Sequence, residues 1–193
     1  MTTKWNALTY DEKKDALAIA YDYYHRNGFF QSPNQIFEVC ALIREFRFRS
    51  VLDYGCGGGD KAHWENIKLL VPTLKTYYPY DPYSSDKDIR RHPRAGQRFD
   101  LVTCTDVLEH VLPEDIDEFL QDLLICSNKM LYVTICLSPA GKMVVDANGK
   151  TAYDQSLHTI VESKEWWLDR FRAAERAIRE KQNRSIAIKI VWT

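Results

Sequence analysis

Four groups of residues carry chemistry by type and spacing. The first is Val51-Leu52-Asp53-Tyr54-Gly55-Cys56-Gly57-Gly58-Gly59-Asp60, where two apolar residues lead into a carboxylate and glycines recur at 55, 57 and 59. Glycine accepts positive φ and lets backbone approach a bound group closely, so this stretch reads as a strand ending in a tight turn beneath a ligand. The second is Asp81, followed by Pro82, at the end of the tyrosine-rich run 74–80; one carboxylate there can accept two hydroxyl hydrogens in charge-assisted bonds. The third is Asp106-Val107-Leu108-Glu109-His110. If helical, it sets acids at i and i+3 and an imidazole at i+4 on one face, and two oxygen donors with one nitrogen suit Mg²⁺ or Mn²⁺ better than a soft metal. The fourth is His158, in Ser156-Leu157-His158-Thr159-Ile160; an imidazole is the side chain best suited to take a proton from a hydroxyl or amine.

These groups need a scaffold, and the chain alternates strands with helices. Thr9 and Glu12 have the capping-box spacing, opening a helix over 9–26 with Leu17, Ala20, Tyr21 and Tyr24 at helical intervals, closed by Asn27-Gly28. A second helix is expected from Ser32 to Phe46, with Pro33 in its first turn and Ile36, Val39, Cys40 and Ile43 on one face. Strands follow at 49–53, 74–80, 99–105, 130–137 and 185–192, and helices at 60–70, 113–127 and 163–182, the last with Trp166, Trp167, Phe171 and Ala174 on one side. Asn148-Gly149 between two β-like runs marks a hairpin. This order predicts an α/β fold with a mostly parallel central sheet and helices on both faces. Residues 84–98 are polar and charged, so a strand between 81 and 99 is short or absent.

Composition narrows the classes. The 193 residues suit one domain, with 1–47 as a helical cover and 48–193 as the core. Twenty-six basic against 27 acidic side chains give a net charge of −1, which offers no global case for nucleic acid. No apolar run reaches membrane-spanning length. Five cysteines without a C-x-x-C pair argue against a disulfide framework and favour a reducing, cytoplasmic setting. The arginines of 90–98 and 170–184 read as solvated faces, and His25, His63 and His92 as surface residues.

The D-x-G-x-G-x-G spacing departs from the dinucleotide fingerprint G-x-G-x-x-G. With Asp53 inside the strand it resembles motif I of class I S-adenosylmethionine (SAM) methyltransferases. Phe99-Asp100-Leu101-Val102 followed by Asp106-Val107-Leu108-Glu109-His110 is similar to the strand-four region of small-molecule methyltransferases. The resemblance implies a Rossmann-like class I fold and SAM as cofactor. Asp53, Gly55, Cys56, Gly57 and Gly59 would wrap its methionine part, Asp81 with Pro82 its ribose, and Asp106 with Val107 the reacting methyl. His158, Glu109 and His110 become the candidates for acid–base work, and Tyr21, Tyr24 or Tyr54 for a cation–π contact with the sulfonium. The family's adenine-contacting acid would fall to Asp86 or Asp88, neither preceded by a convincing strand. The acceptor is expected to be a small molecule or nucleotide-like, offering an O, N or C nucleophile, with nucleic acid not favoured. Similar E-x-x-E-H segments bind divalent metal in small-RNA terminal 2′-O-methyltransferases and ubiquinone-pathway O-methyltransferases. Asp106 is shorter than the glutamate there, so no metal is assigned. A metal-assisted RNA or nucleotide 2′-O-methyltransferase, and a SAM- or nucleoside-binding module without methyl transfer, stay open as alternatives.

Overall fold

The structure, a computed structural model, describes residues 2–27, 35–57, 67–84 and 86–193. Its helices are α1 (Tyr10–Arg26), α2 (Ile36–Glu45), α3 (Ile116–Cys126) and α4 (Lys164–Gln182). Its strands are β1 (Ser50–Tyr54), β2 (Thr76–Tyr80), β3 (Phe99–Thr105), β4 (Ser127–Ile135), β5 (Met143–Val145), β6 (Thr151–Ser156) and β7 (Ala187–Trp192). Five strands form one sheet in the order β2-β1-β3-β4-β7, and every pairing in it is parallel.

A parallel sheet must be covered on both faces, and the strand sequences supply apolar residues to each. On one face Leu52, Val102, Leu131 and Val133 pack with Leu120 and Leu124 of α3 and Trp167 and Phe171 of α4. On the other, Val51, Leu101 and Tyr132 meet Val39 and Ile43 of α2, with Ile67 and Val71. The buried stripe of α4 is Trp167, Phe171, Ala174 and Ile178. Trp166, expected on that stripe, is only partly buried and carries Arg170 over its ring.

The N-terminal cover splits in two. α2 seals a sheet face, whereas α1 stands over the carboxyl ends of the strands. Thr9 caps α1 and Glu12 reaches back to the Thr9 N–H at 2.8 Å, the reciprocal capping box. Ala16, Leu17, Ala20 and Tyr24 of α1 pack on Val144, Val145 and Leu157 of the β5–β6 hairpin. The segment before α1 is tied to the same hairpin. Thr3 bridges Tyr153, and Asp154 accepts from Lys4 at 2.8 Å and from the Trp5 N–H at 2.7 Å.

One expected boundary moves, and the expectation of a short or absent strand between 81 and 99 agrees with the described residues. The helix foreseen from Pro113 begins at Ile116, because residues 113–115 form a turn with Asp115 at the N-cap. No strand occurs among the described residues from 81 to 98, so β2 is the sheet's outer strand on that side. The start of the second helix at Ser32, the helix start near 60, Gly59 and His63 lie outside the described residues.

The hairpin turn rests on Gly149, whose φ is +80° and whose added Cβ would stand 2.2 Å from the Tyr23 ring. Gly149→Ala is expected to lose about 2–4 kcal/mol, the cost of a left-handed alanine plus overpacking. Urea titration should show a lower midpoint with an unchanged slope. A midpoint equal to wild type would mean that α1 and the hairpin are not in fixed contact.

Candidate active site

Because all five strands run one way, their carboxyl ends share one edge, where open α/β sheets bind ligands. A cavity of about 730 Å³ opens there, within the range of small-molecule sites. Asp53, Gly55, Cys56, Gly57, Asp81, Pro82, Asp106, Val107, His110 and His158 all line it. The turn after β1 is locked to its neighbours. The Gly55 and Cys56 N–H groups donate to the Tyr80 carbonyl at 2.7 and 3.1 Å. Gly55 has φ +82°, and a Cβ there would lie 2.4 Å from Val107 Cγ2. Glycine is therefore required by the loop after β3 as well as by the turn itself.

Asp81 is buried, and its two oxygens accept from the Gly57 N–H at 3.0 Å and the Tyr83 N–H at 2.8 Å. Burial raises its pKa, opposed by His25, whose Nε2 stands 3.9 Å away. His25 is thus not the surface residue expected from sequence. Lys14, Leu17, Tyr21 and His25 all face the cavity, and their spacing of three, four and four along α1 is the signal that would have placed it. Asp53 serves from below. Tyr77 donates to one of its oxygens at 2.5 Å and Thr103 to the other at 3.0 Å, so one carboxylate ties three strands beneath the turn. Burial pushes the Cys56 thiol up, which makes it a neutral wall rather than a nucleophile.

The Asp106–Glu109–His110 segment is not one helical face. Asp106 takes a left-handed φ of +53°. Its N–H and its carboxylate both bond Thr134 of β4, at 2.9 and 2.8 Å, and only a short 3₁₀ turn, Leu108–His110, follows. Asp106 therefore stays beside the turn after β1, while Glu109 and His110 turn toward the loop after β4. There they meet His158, with one ligand atom of each of the three within 4.8 Å of the others. The His110 and His158 rings lie 4.7 Å apart, edge to face.

The protonation of this trio follows from its partners. His110 Nδ1 faces the Leu157 carbonyl at 2.9 Å and His158 Nδ1 faces the Ser138 carbonyl at 2.5 Å. A carbonyl only accepts, so each Nδ1 carries the hydrogen and, in the neutral ring, each Nε2 keeps a lone pair. Burial, then the neighbouring His158, holds His110 down to about 4. Glu109 is fully buried; its Oε1 accepts the Cys136 N–H at 3.0 Å and its Oε2 has no hydrogen-bond partner. Burial pushes this carboxyl up to about 7. Of the three tyrosines, Tyr21 is buried at the cavity wall, edge-on to His110 at 5.9 Å and 5.0 Å from Tyr83. Tyr54 also borders the cavity but gives its hydroxyl to Asp122 on α3, and Tyr24 bonds the Met143 carbonyl.

A family model described as a methyltransferase domain matches residues 23–185. The chain belongs to the class I SAM-dependent methyltransferases. The methyltransferase also resembles lectin BRA-2 of Megabalanus rosa over 54 residues, at 39% identity. That match covers 27% of this chain and 31% of the lectin, and carries no functional reading. The methyltransferase family uses SAM as methyl donor, and the cavity fits it in kind: a turn that excludes any Cβ at Gly55 and a buried carboxylate, Asp81, beside it. Asp86 and Asp88, weighed for the adenine contact, do not border the cavity; Pro82 and Tyr83 do. Sequence reading missed Tyr83, Cys136 and Lys142 as cavity residues, since nothing in their local spacing marks them.

The opposed pKa values of Glu109 and His110 predict a specific pH response. Glu109 ordinarily titrates at 4.5, so from there to about 7 the folded state holds the extra proton, and its contribution to stability is lost as pH rises. His110 ordinarily titrates at 6.5, so between about 4 and 6.5 the unfolded state holds the extra proton, and stability is lost as pH falls. The two slopes cancel in wild type over the shared window. In chelator-treated buffer, Glu109→Gln should make stability rise with pH between 4.5 and 6.5 by about 2–3 kcal/mol, and His110→Gln should make it fall. Flat profiles in both variants would refute the assignment.

Proposed function

We propose that this methyltransferase moves the SAM methyl group to a hydroxyl of a small-molecule or nucleotide-like acceptor seated between α1 and the His110–His158 pair. Bound SAM supplies an electrophilic methyl on a sulfonium. The chain's part is to hold, align and deprotonate. Gly55 and Gly57 give backbone access, and Asp81 accepts from the ribose hydroxyls with the lone pairs its two backbone N–H bonds leave over. Asp106 and Val107 border the methyl. The observation that carries the acceptor reading is the pair of imidazoles whose Nδ1–H groups are fixed on carbonyls. His110 stays uncharged at neutral pH, and His158, on the more open side, can accept the hydroxyl proton and pass it to solvent.

Turnover of labelled SAM against a panel of hydroxyl-bearing metabolites and nucleotides tests the reading. His158→Ala is expected to lower kcat by about 10²–10⁴-fold with SAM affinity unchanged, and a near-normal kcat would remove it as the base. Asp81→Ala should weaken SAM binding by about 1.5–3 kcal/mol in calorimetry; equal binding would misplace the ribose.

A second reading is favoured by the unpartnered Oε2 of Glu109. Glu109, His110 and His158 together offer one carboxylate and two imidazoles whose other nitrogens donate to carbonyls, as metal-ligating histidines do. They would hold a divalent ion against the acceptor hydroxyl, as in a metal-assisted RNA or nucleotide 2′-O-methyltransferase. Activity that survives EDTA supports the metal-free reading. Activity lost to EDTA and restored by Mn²⁺ or Mg²⁺ supports the second.

A further inference from the structure

A second cluster lies outside the cavity, behind the turn that follows β1. His92, in the polar segment after Asp81, meets Asp122 and Cys126 of α3, and one ligand atom of each lies within 4.8 Å of the others. Asp122 and Cys126 are one helical turn apart and so share a face. His92 and Asp122 are part-exposed, at 43% and 31% of their side chains, whereas Cys126 is buried.

The hydrogen bonding of His92 sets the problem. Its Nδ1 lies 3.0 Å from the Pro93 carbonyl and its Nε2 lies 2.7 Å from Asp122 Oδ2. Both partners only accept. A neutral imidazole has one N–H and would leave a lone pair facing one of these two acceptors. A positive charge removes the mismatch, as a second proton on the ring or as a metal ion taking a nitrogen lone pair. Two further features distinguish them. The same Asp122 oxygen already accepts the Tyr54 hydroxyl at 2.8 Å, so the carboxylate is partly satisfied without an imidazolium. A thiol completes a nitrogen–oxygen–sulfur donor set; burial and then the Asp122 carboxylate push the Cys126 thiol up to about 12, opposed by Arg184, so a bound ion has to displace its proton.

We propose that His92, Asp122 and Cys126 form a zinc-class metal site with a fourth position open to water. The donor set suits a borderline-soft, tetrahedral ion, with imidazole, carboxylate and thiolate each among its usual ligands. Cys126 binds as thiolate, its proton passing to solvent. The ion pins residues 86–98 to α3. The rings of Tyr54 and Tyr80 stand edge-on to His92 at 6.0 and 5.0 Å, so the site buttresses the ends of β1 and β2 from behind. This site is independent of the methyl-transfer reading.

Cobalt is the probe. Chelator-stripped protein titrated with Co²⁺ should take up one equivalent with a near-ultraviolet thiolate-to-cobalt band, displaced by Zn²⁺. Cys126→Ser should abolish the band. His92→Gln, at a part-exposed position that leaves the core intact, should weaken Co²⁺ binding by more than about 100-fold, since even an outer partner of a ligand costs 10–100-fold. His158→Gln should leave the band in place, which separates this site from the Glu109–His110–His158 trio. The proposal is overturned if no thiolate band forms, if the band persists in Cys126→Ser or at full strength in His92→Gln, or if ¹⁵N NMR at saturating Zn²⁺ shows His92 protonated on both nitrogens.

Discussion

The site depends on a meeting of three loops at a point where no side chain fits. Gly55 donates to the Tyr80 carbonyl while Val107 occupies the space a Cβ would need. That contact fixes the turn after β1 against the ends of β2 and β3 together. It places the Gly57 N–H on Asp81, and it sets Val107 and Asp106 over the turn. A residue larger than glycine would have to push β3's loop outward, and the cavity's floor would open with it. Two buried carboxylates stand on either side of this junction. Burying a charge is costly unless it is hydrogen-bonded, and both are: Asp53 by two side-chain hydroxyls, Asp81 by two backbone N–H groups.

The far end of the cavity is built on the opposite plan. Where Asp53 and Asp81 have bonds to both oxygens, Glu109 has one oxygen bonded and one without a hydrogen-bond partner. Beside it two imidazoles are held by Nδ1 alone. The Asp53–Asp81 side spends its polar groups on rigidity, and the other side keeps lone pairs available. At that same end burial raises Glu109 and lowers His110, opposed shifts of the kind that mark reactive sites. The β5–β6 hairpin and α1 close over it, so this end is walled by elements added to the sheet rather than by the sheet itself.

Much of this was legible in the residues. The boundaries of α1, β3 and α4 fall where capping boxes, apolar runs and helical stripes place them, because those signals are local. The glycine turn and Asp81 were legible for the same reason: a strand end and a fixed offset. The parts that were not legible depend on long-range contacts. Asp106 leaves the helical pattern because Thr134, 28 residues on, holds both its N–H and its carboxylate. His92 acquires partners only when the segment 86–98 folds against α3, and Cys136 reaches Glu109 only through the end of β4. No local spacing encodes such pairings. The missing third strand was foreseen from polarity, since 84–98 has no apolar run able to fill an inner sheet position.

The uniform direction of the strands divides the molecule's tolerance to change. Everything that does chemistry gathers where strands end, so the connections at the opposite edge, which lead into strands, answer only to folding. Gly96 is in one of them, ahead of β3, and a Cβ built on it meets nothing within 4 Å. A fluorophore, an affinity handle or an inserted peptide placed beside that glycine, whose φ of +80° keeps the position itself for glycine, would ride on the protein with the length of the strands between it and the cavity. The same property lets the active-site loops diversify toward new acceptors without renegotiating the scaffold beneath them.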